Sequence, residues 1–167
     1  MRADKKPGKS LWAAFILYLL FMVFLLFGMR YLRTGGIWRP QPEDYWERVR
    51  HSTNLIPFRT IRNYLSRIDR FSPGDLAFRN VAGNVLLFIP FGWFLPRLVG
   101  AFHDFFDFLI ACGILLVSVE LGQVFTLLGS CDIDDLILNL GGNVIGYLIW
   151  AVGYGIAKVK QKKRTAA

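Results

Sequence analysis

The stretch Asp132-Ile133-Asp134-Asp135-Leu136-Ile137-Leu138-Asn139-Leu140-Gly141-Gly142-Asn143-Val144-Ile145-Gly146 sets three acids and two amides into a segment otherwise apolar enough to lie in a bilayer. At helical spacing Asp135, Asn139 and Asn143 fall at i, i+4 and i+8, which makes one polar stripe. In hydrocarbon, polar and ionisable groups are costly unless they face partners or water. A membrane helix that carries a row of them uses them to pack against its neighbours or to build a site.

The flanking sequence supports the membrane reading. Leu11 to Met29 contains no charge, about the length that a bilayer core requires. Val81 to Phe102 is interrupted by a single charge, Arg97, and carries Pro90 and Pro96. Phe105 to Leu128 holds Asp107 at its entrance and Glu120 inside, and Leu136 to Ala157 has Asn139 and Asn143 as its strongly polar members. Soluble core helices are rarely so long and so apolar on every face. The expected fold is therefore an all-α integral membrane protein with spans at about 11–29, 81–102, 105–128 and 135–157. These spans make a single membrane domain over residues 11–157. The cations before the first run imitate a secretory leader, but the run is too long and Met29-Arg30-Tyr31 offers no small-residue cleavage site, so it reads as a retained anchor. Cys112 lies deep in the third run and Cys131 in the following turn, too far apart to bridge at helical rise.

Charge placement orients the chain. The chain carries 20 Lys and Arg against 12 Asp and Glu. Lys158 to Arg164 holds five cations and no acid, whereas the connection over 30–80 spreads ten arginines beside five acids and has no lysine. Dense basic flanks stay inside, which makes 1–10 and 158–167 basic cytoplasmic tails. The 30–80 segment is then extracytoplasmic, and Pro57, which disfavours helix at Ile56, makes part of it a bend or short re-entrant piece. In this arrangement the third and fourth spans form a hairpin about Ser130. Glu120 and Asn139 then sit at matched depth, roughly 14 Å below the turn. Gln123 shares the face of Glu120 at i+3, and Asn80 and Asn84 open the second span at i, i+4. Asn84, Glu120, Gln123, Asp132, Asp134, Asp135 and Asn139 thus converge on one half of the bundle.

Four ordered motifs carry a resemblance. Asn54-Leu55-Ile56-Pro57-Phe58, Asn84-Val85-Leu86-Leu87-Phe88-Ile89-Pro90-Phe91-Gly92, Ser118-Val119-Glu120-Leu121-Gly122-Gln123, and the Asp132 to Asn139 run with Gly142 and Gly146 resemble the VanZ-like family over about residues 51–150. The turn Gly129-Ser130-Cys131 and Leu140 depart from the family pattern, which often has an arginine before the acidic run and a threonine after the asparagine. The resemblance implies a multi-pass protein of the bacterial cytoplasmic membrane with a cell-envelope role, and reduced sensitivity to teicoplanin-type lipoglycopeptides. The implied partners are the bilayer and a lipid-anchored envelope molecule or the lipoglycopeptide itself, with no nucleic acid.

Each constellation also has an ordinary reading. Asp132 and Asp135 suit helix capping, which leaves Asp134 as the extra acid in a self-repelling trio. Glu120 serves equally as an interhelical hydrogen-bonding group or as a candidate catalytic acid/base. Asn143, with Gly141, Gly142 and Gly146, reads as a close packing face. Arg59 and Arg62, followed by Arg67 and Arg70, suit bidentate contact with phosphate or carboxylate, or plain pairing with headgroups. The ligand-binding candidates are Asn54, Pro57, Phe58, Arg59, Arg62, Asn84, Glu120, Gln123, Asp132, Asp134, Asp135 and Asn139. Asp and Glu oxygens suit a hard cation, but no His/Cys spacing supports zinc and no cofactor motif is present, so no metal or cofactor is expected. Two alternatives stand beside the binding role: an integral-membrane hydrolase or transferase acting on a lipid-linked phosphate, and a structural or assembly partner in envelope biogenesis.

Overall fold

The computed structural model describes residues 7–34, 41–66 and 76–165. Arg2, Lys5, Lys6, Arg67 and Arg70 lie outside the described residues. Among the described residues, four helices are long and apolar enough to cross a membrane, over Lys9–Gly28, Asn80–Leu98, Phe105–Phe125 and Ile133–Lys163.

Helix α1 (Lys9–Val23) runs through a π-helical turn (Phe24–Gly28) into α2 (Met29–Thr34). Helix α3 (Pro42–His51) starts at a proline, whose missing N–H is not needed in a first turn. Glu43 and Asp44 begin it and Arg48, Arg50 and His51 end it, matching both ends of the helix dipole. A two-residue strand β1 (Thr53–Asn54) and a short helix α4 (Arg59–Leu65) follow. Helix α5 (Leu76–Leu98) continues through Pro90 and Pro96, and a 3₁₀ turn (Gly100–His103) leads to α6 (Phe105–Phe125). The Asp104 side chain caps α6 by accepting from the N–H groups of Phe106 at 2.8 Å and Asp107 at 3.2 Å. Strand β2 (Cys131–Asp132) then enters α7 (Ile133–Thr165).

The fourth helix is longer than the apolar run suggests. Its 33 residues extend about 50 Å at ordinary rise, against a hydrocarbon core of about 30 Å. The basic segment from Lys158 continues the helix through Thr165, because lysine and arginine are good helix formers.

The spans alternate in direction. Gly142 meets Val85 and Gly146 meets Ile89, so α5 and α7 run parallel, while Tyr18 reaches Leu87 and Phe15 packs on Phe94, so α1 runs opposite to α5. The α5–α7 contact is backbone against backbone. A Cβ on Gly92 would overlap the Asn143 carbonyl, one on Gly142 that of Val85, and one on Gly146 that of Ile89. Small residues at these positions let dispersion and Cα–H···O contacts act where a lipid-like core supplies no hydrophobic drive. Phe88, Phe108, Cys112 and Leu116 are fully buried beside this seam. At one end of the bundle Tyr147, Trp150, Tyr154 and Phe105 form an aromatic cluster around His103, and the Tyr147 hydroxyl donates to the His103 carbonyl at 2.6 Å. The polar residues gather at the other end.

Candidate functional site

At the end where α5 and α7 begin, the acidic run grips the segment between the first two spans. Strands β1 and β2 pair in parallel, Thr53 with Cys131 and Asn54 with Asp132, and the Cys131 N–H donates to the Ser52 carbonyl at 2.9 Å. Asp132 performs two tasks. Its Oδ1 accepts from the Asp134 N–H at 2.9 Å, which caps α7, and from Asn54 Nδ2 at 3.1 Å. Its Oδ2 accepts from the Thr60 hydroxyl at 2.6 Å.

Asp134 is wholly buried and turned onto the start of α4. Its carboxylate accepts from the backbone N–H groups of Phe58 at 2.5 Å, Thr60 at 2.6 Å and Ile61 at 3.0 Å. A free carboxylate is the strongest acceptor available for the orphan amides of a helix start, and it meets the positive end of the helix there. Phe58 stands just before α4 with φ 62°, left-handed backbone that a bulky residue rarely adopts. That geometry aims its N–H at Asp134. The backbone amides thus take up the charge of Asp134. Pro57 lies in the exposed turn ahead of Phe58.

The remaining predicted residues divide. Asn84 Nδ2 donates to Asp135 Oδ1 at 2.6 Å, joining α5 to α7 beside the grip. Gln123 turns to the first helix, where its Nε2 donates to the Leu26 carbonyl at 3.2 Å. Leu26 lies in the π-helical turn, whose widened bonding leaves carbonyls open to such a donor. Glu120 is 5% exposed, and its charge and that of Asp132 both reach the Cys131 thiol. That thiol is pushed up first by burial and then by those two carboxylates. Asn139 is buried with an Oδ1 that makes no hydrogen bond among the described residues, and the same holds for both side-chain polar atoms of Asn143. Arg59 and Arg62 are exposed on α4 and make no ion pair among the described residues.

Several residues that build this end were not evident in the sequence. Thr60 ties Asn54 to Asp132, Tyr64 accepts from Asn80 Nδ2 at 3.1 Å, and the Tyr45 hydroxyl donates to the Phe125 carbonyl at 3.1 Å. Only the threonine beside the Asn54 motif offered a signal. Both cysteines are free, and no cluster of His, Cys, Asp and Glu suited to a metal occurs among the described residues. A cleft of about 550 Å³ opens between α1 and α5, walled by Phe21, Leu25, Leu26, Leu87 and Pro90 and reaching Asn80 and Asn84 at its polar end.

A four-span helical membrane protein with an acid-clamped connecting segment is the class defined by this architecture. The family model described as VanZ/LLP1 matches residues 15–154, and the chain belongs to that family. No curated protein and no solved structure matches it.

Proposed function

We propose that this VanZ-family membrane protein acts at the bacterial cell envelope by engaging a lipid-anchored molecule at the polar end of its bundle. That end faces outward, both termini face the cytoplasm, and the engagement lowers sensitivity to teicoplanin-type lipoglycopeptides. The carrying observation is the grip of Asp132 and Asp134 on residues 54–61. It turns two carboxylates inward onto amides and a hydroxyl, and presents Arg59 and Arg62 on α4 with their charge unpaired among the described residues. A planar guanidinium suits phosphate or carboxylate in a fork geometry that lysine cannot copy. Asn54, Asn84 and Asp135 border the same end, and Asn139, whose buried Oδ1 makes no hydrogen bond among the described residues, lies beneath it.

The test is antibiotic susceptibility of a sensitive bacterium with and without the protein, comparing teicoplanin with a glycopeptide that lacks a lipid tail. Arg59→Lys is expected to remove most of the protection while leaving membrane insertion intact. A lysine variant equal to the parent would reduce these arginines to interfacial anchors. Outside-only cysteine labelling is expected to reach a probe at Trp46 and spare one at Lys162; the reverse pattern would overturn the orientation.

A further inference from the structure

The turn that leads into α4 holds three large apolar side chains in the open: Leu55 is 65% exposed, Ile56 56% and Phe58 59%. Single exposed apolar residues are ordinary, but three within four positions make a patch that water disfavours. The turn is also firmly held. Asp134 takes the N–H groups of Phe58, Thr60 and Ile61, and Asp132 takes Asn54 Nδ2 and the Thr60 hydroxyl. The fold thus fixes this patch outward instead of folding it away.

Where the patch lies follows from what holds it. Asp134 stands in the first turn of the fourth span, and Tyr64 of α4 is bonded to Asn80, the first residue of the second. The contacts of Gly142 with Val85 and of Gly146 with Ile89 put Asp134 within about one turn of Asn80, roughly 5 Å at helical rise. Helix α3 is tied to the same end, because the Tyr45 hydroxyl bonds the carbonyl of Phe125, the last residue of the third span. Three spans therefore end near one level, and α3, the turn and α4 lie across it. A bilayer carries roughly 5–7 Å of headgroup region on each side of its hydrocarbon core, and that layer is where the span ends fall. Trp46, 59% exposed and packed edge-on against Tyr45, is of the residue type enriched there. Residues 55–58 belong to no helix or strand, which suits a hydrated boundary and not the hydrocarbon itself.

We propose that Leu55, Ile56 and Phe58, together with Trp46, insert into the headgroup–acyl boundary of the membrane that the chain itself spans, and anchor the α3–α4 segment in the plane of that leaflet. The anchor works on either side of the membrane and needs no ligand at this end, so it stands or falls apart from the envelope role. A protein partner would be served by one patch facing away from the bilayer. Here two patches on separate elements are each tied to the ends of spans.

The experiment places the full-length protein in phosphatidylcholine nanodiscs that contain a phosphatidylcholine bearing a diazirine either beside the ester carbonyl or at the end of an acyl chain. After irradiation, labelled residues are mapped by mass spectrometry. The shallow probe is expected to label residues 55–58 and Trp46. The deep probe is expected to label Ile114, exposed near the middle of the third span, and to leave the turn nearly bare. Ile56→Asp should cut shallow labelling of the turn by about tenfold, because a carboxylate resists leaving water, and should leave Ile114 labelling unchanged. A turn that neither probe labels, in a protein whose Ile114 is labelled, would overturn the proposal and leave the patch to a protein partner. Labelling of the turn chiefly by the deep probe would overturn it too, since the segment would then enter the hydrocarbon. Equal shallow labelling in the parent and Ile56→Asp would show that the lipid contact is incidental and not an anchor.

Discussion

Asp134→Asn should release α4 from the bundle without unfolding it. The native carboxylate serves Phe58 through Oδ1 and both Thr60 and Ile61 through Oδ2. Asparagine keeps one oxygen. Its best placement satisfies Thr60 and Ile61 and turns an NH₂ group against the Phe58 N–H, donor facing donor. The change therefore removes one bond outright and weakens two by loss of charge. With charge-assisted bonds contributing about 1.5–3 kcal/mol and partial resolvation at an interface, the loss is about 2–3 kcal/mol. That corresponds to a rise of about 30- to 150-fold in the undocked population. Amide hydrogen exchange over residues 61–65 and tryptic cleavage at Arg59 and Arg62, both in lipid nanodiscs, report that population directly. A reciprocal change sharpens the test. Phe58 is mostly exposed, so Phe58→Gly loses little packing while relieving the left-handed backbone, for a net gain of about 0.5–1 kcal/mol. It should slow exchange a few-fold and partly rescue Asp134→Asn. Exchange in Asp134→Asn that stays within about threefold of the parent would refute the capping argument, since even half of one charge-assisted bond exceeds that effect.

Two further predictions concern packing and the thiol. Gly146→Ala drives a methyl into the Ile89 carbonyl and should cost about 1–3 kcal/mol, whereas Gly153→Ala meets nothing and should be neutral or stabilising by up to about 1 kcal/mol; thermal unfolding in detergent separates them, and equal effects would refute the close α5–α7 seam. Burial and the Glu120 and Asp132 charges disfavour the Cys131 thiolate, so alkylation should be slower than for a free thiol at the same pH. Glu120→Gln removes one of those charges, lowers the thiol towards its ordinary value, and should speed alkylation at fixed pH; an unchanged pH–rate profile would separate Glu120 from this thiol.

How much was legible in advance differs by residue. The cap formed by Asp132 is a local event, acid to N–H two positions on, and the sequence pattern of a helix start announces it. Asp134 looks locally like a surplus acid. Its partners lie about 75 positions away in Phe58, Thr60 and Ile61, and no periodicity encodes that pairing. Glu120 and Gln123 share a helical face by spacing, yet Gln123 bonds the first helix. Helix rotation within the bundle decides which neighbour a side chain meets.

The sequence by itself determined the four spans, the capped start of the last helix and the family, because bilayer thickness, backbone satisfaction and short-range capping act on residues close together in the chain. Tertiary structure alone decided that α5 and α7 lie backbone to backbone, that two carboxylates hold α4 in place, and that a cleft opens between α1 and α5. Those outcomes depend on the rotation and separation of whole helices, which glycine contacts between distant segments set and which hydropathy along the chain does not record.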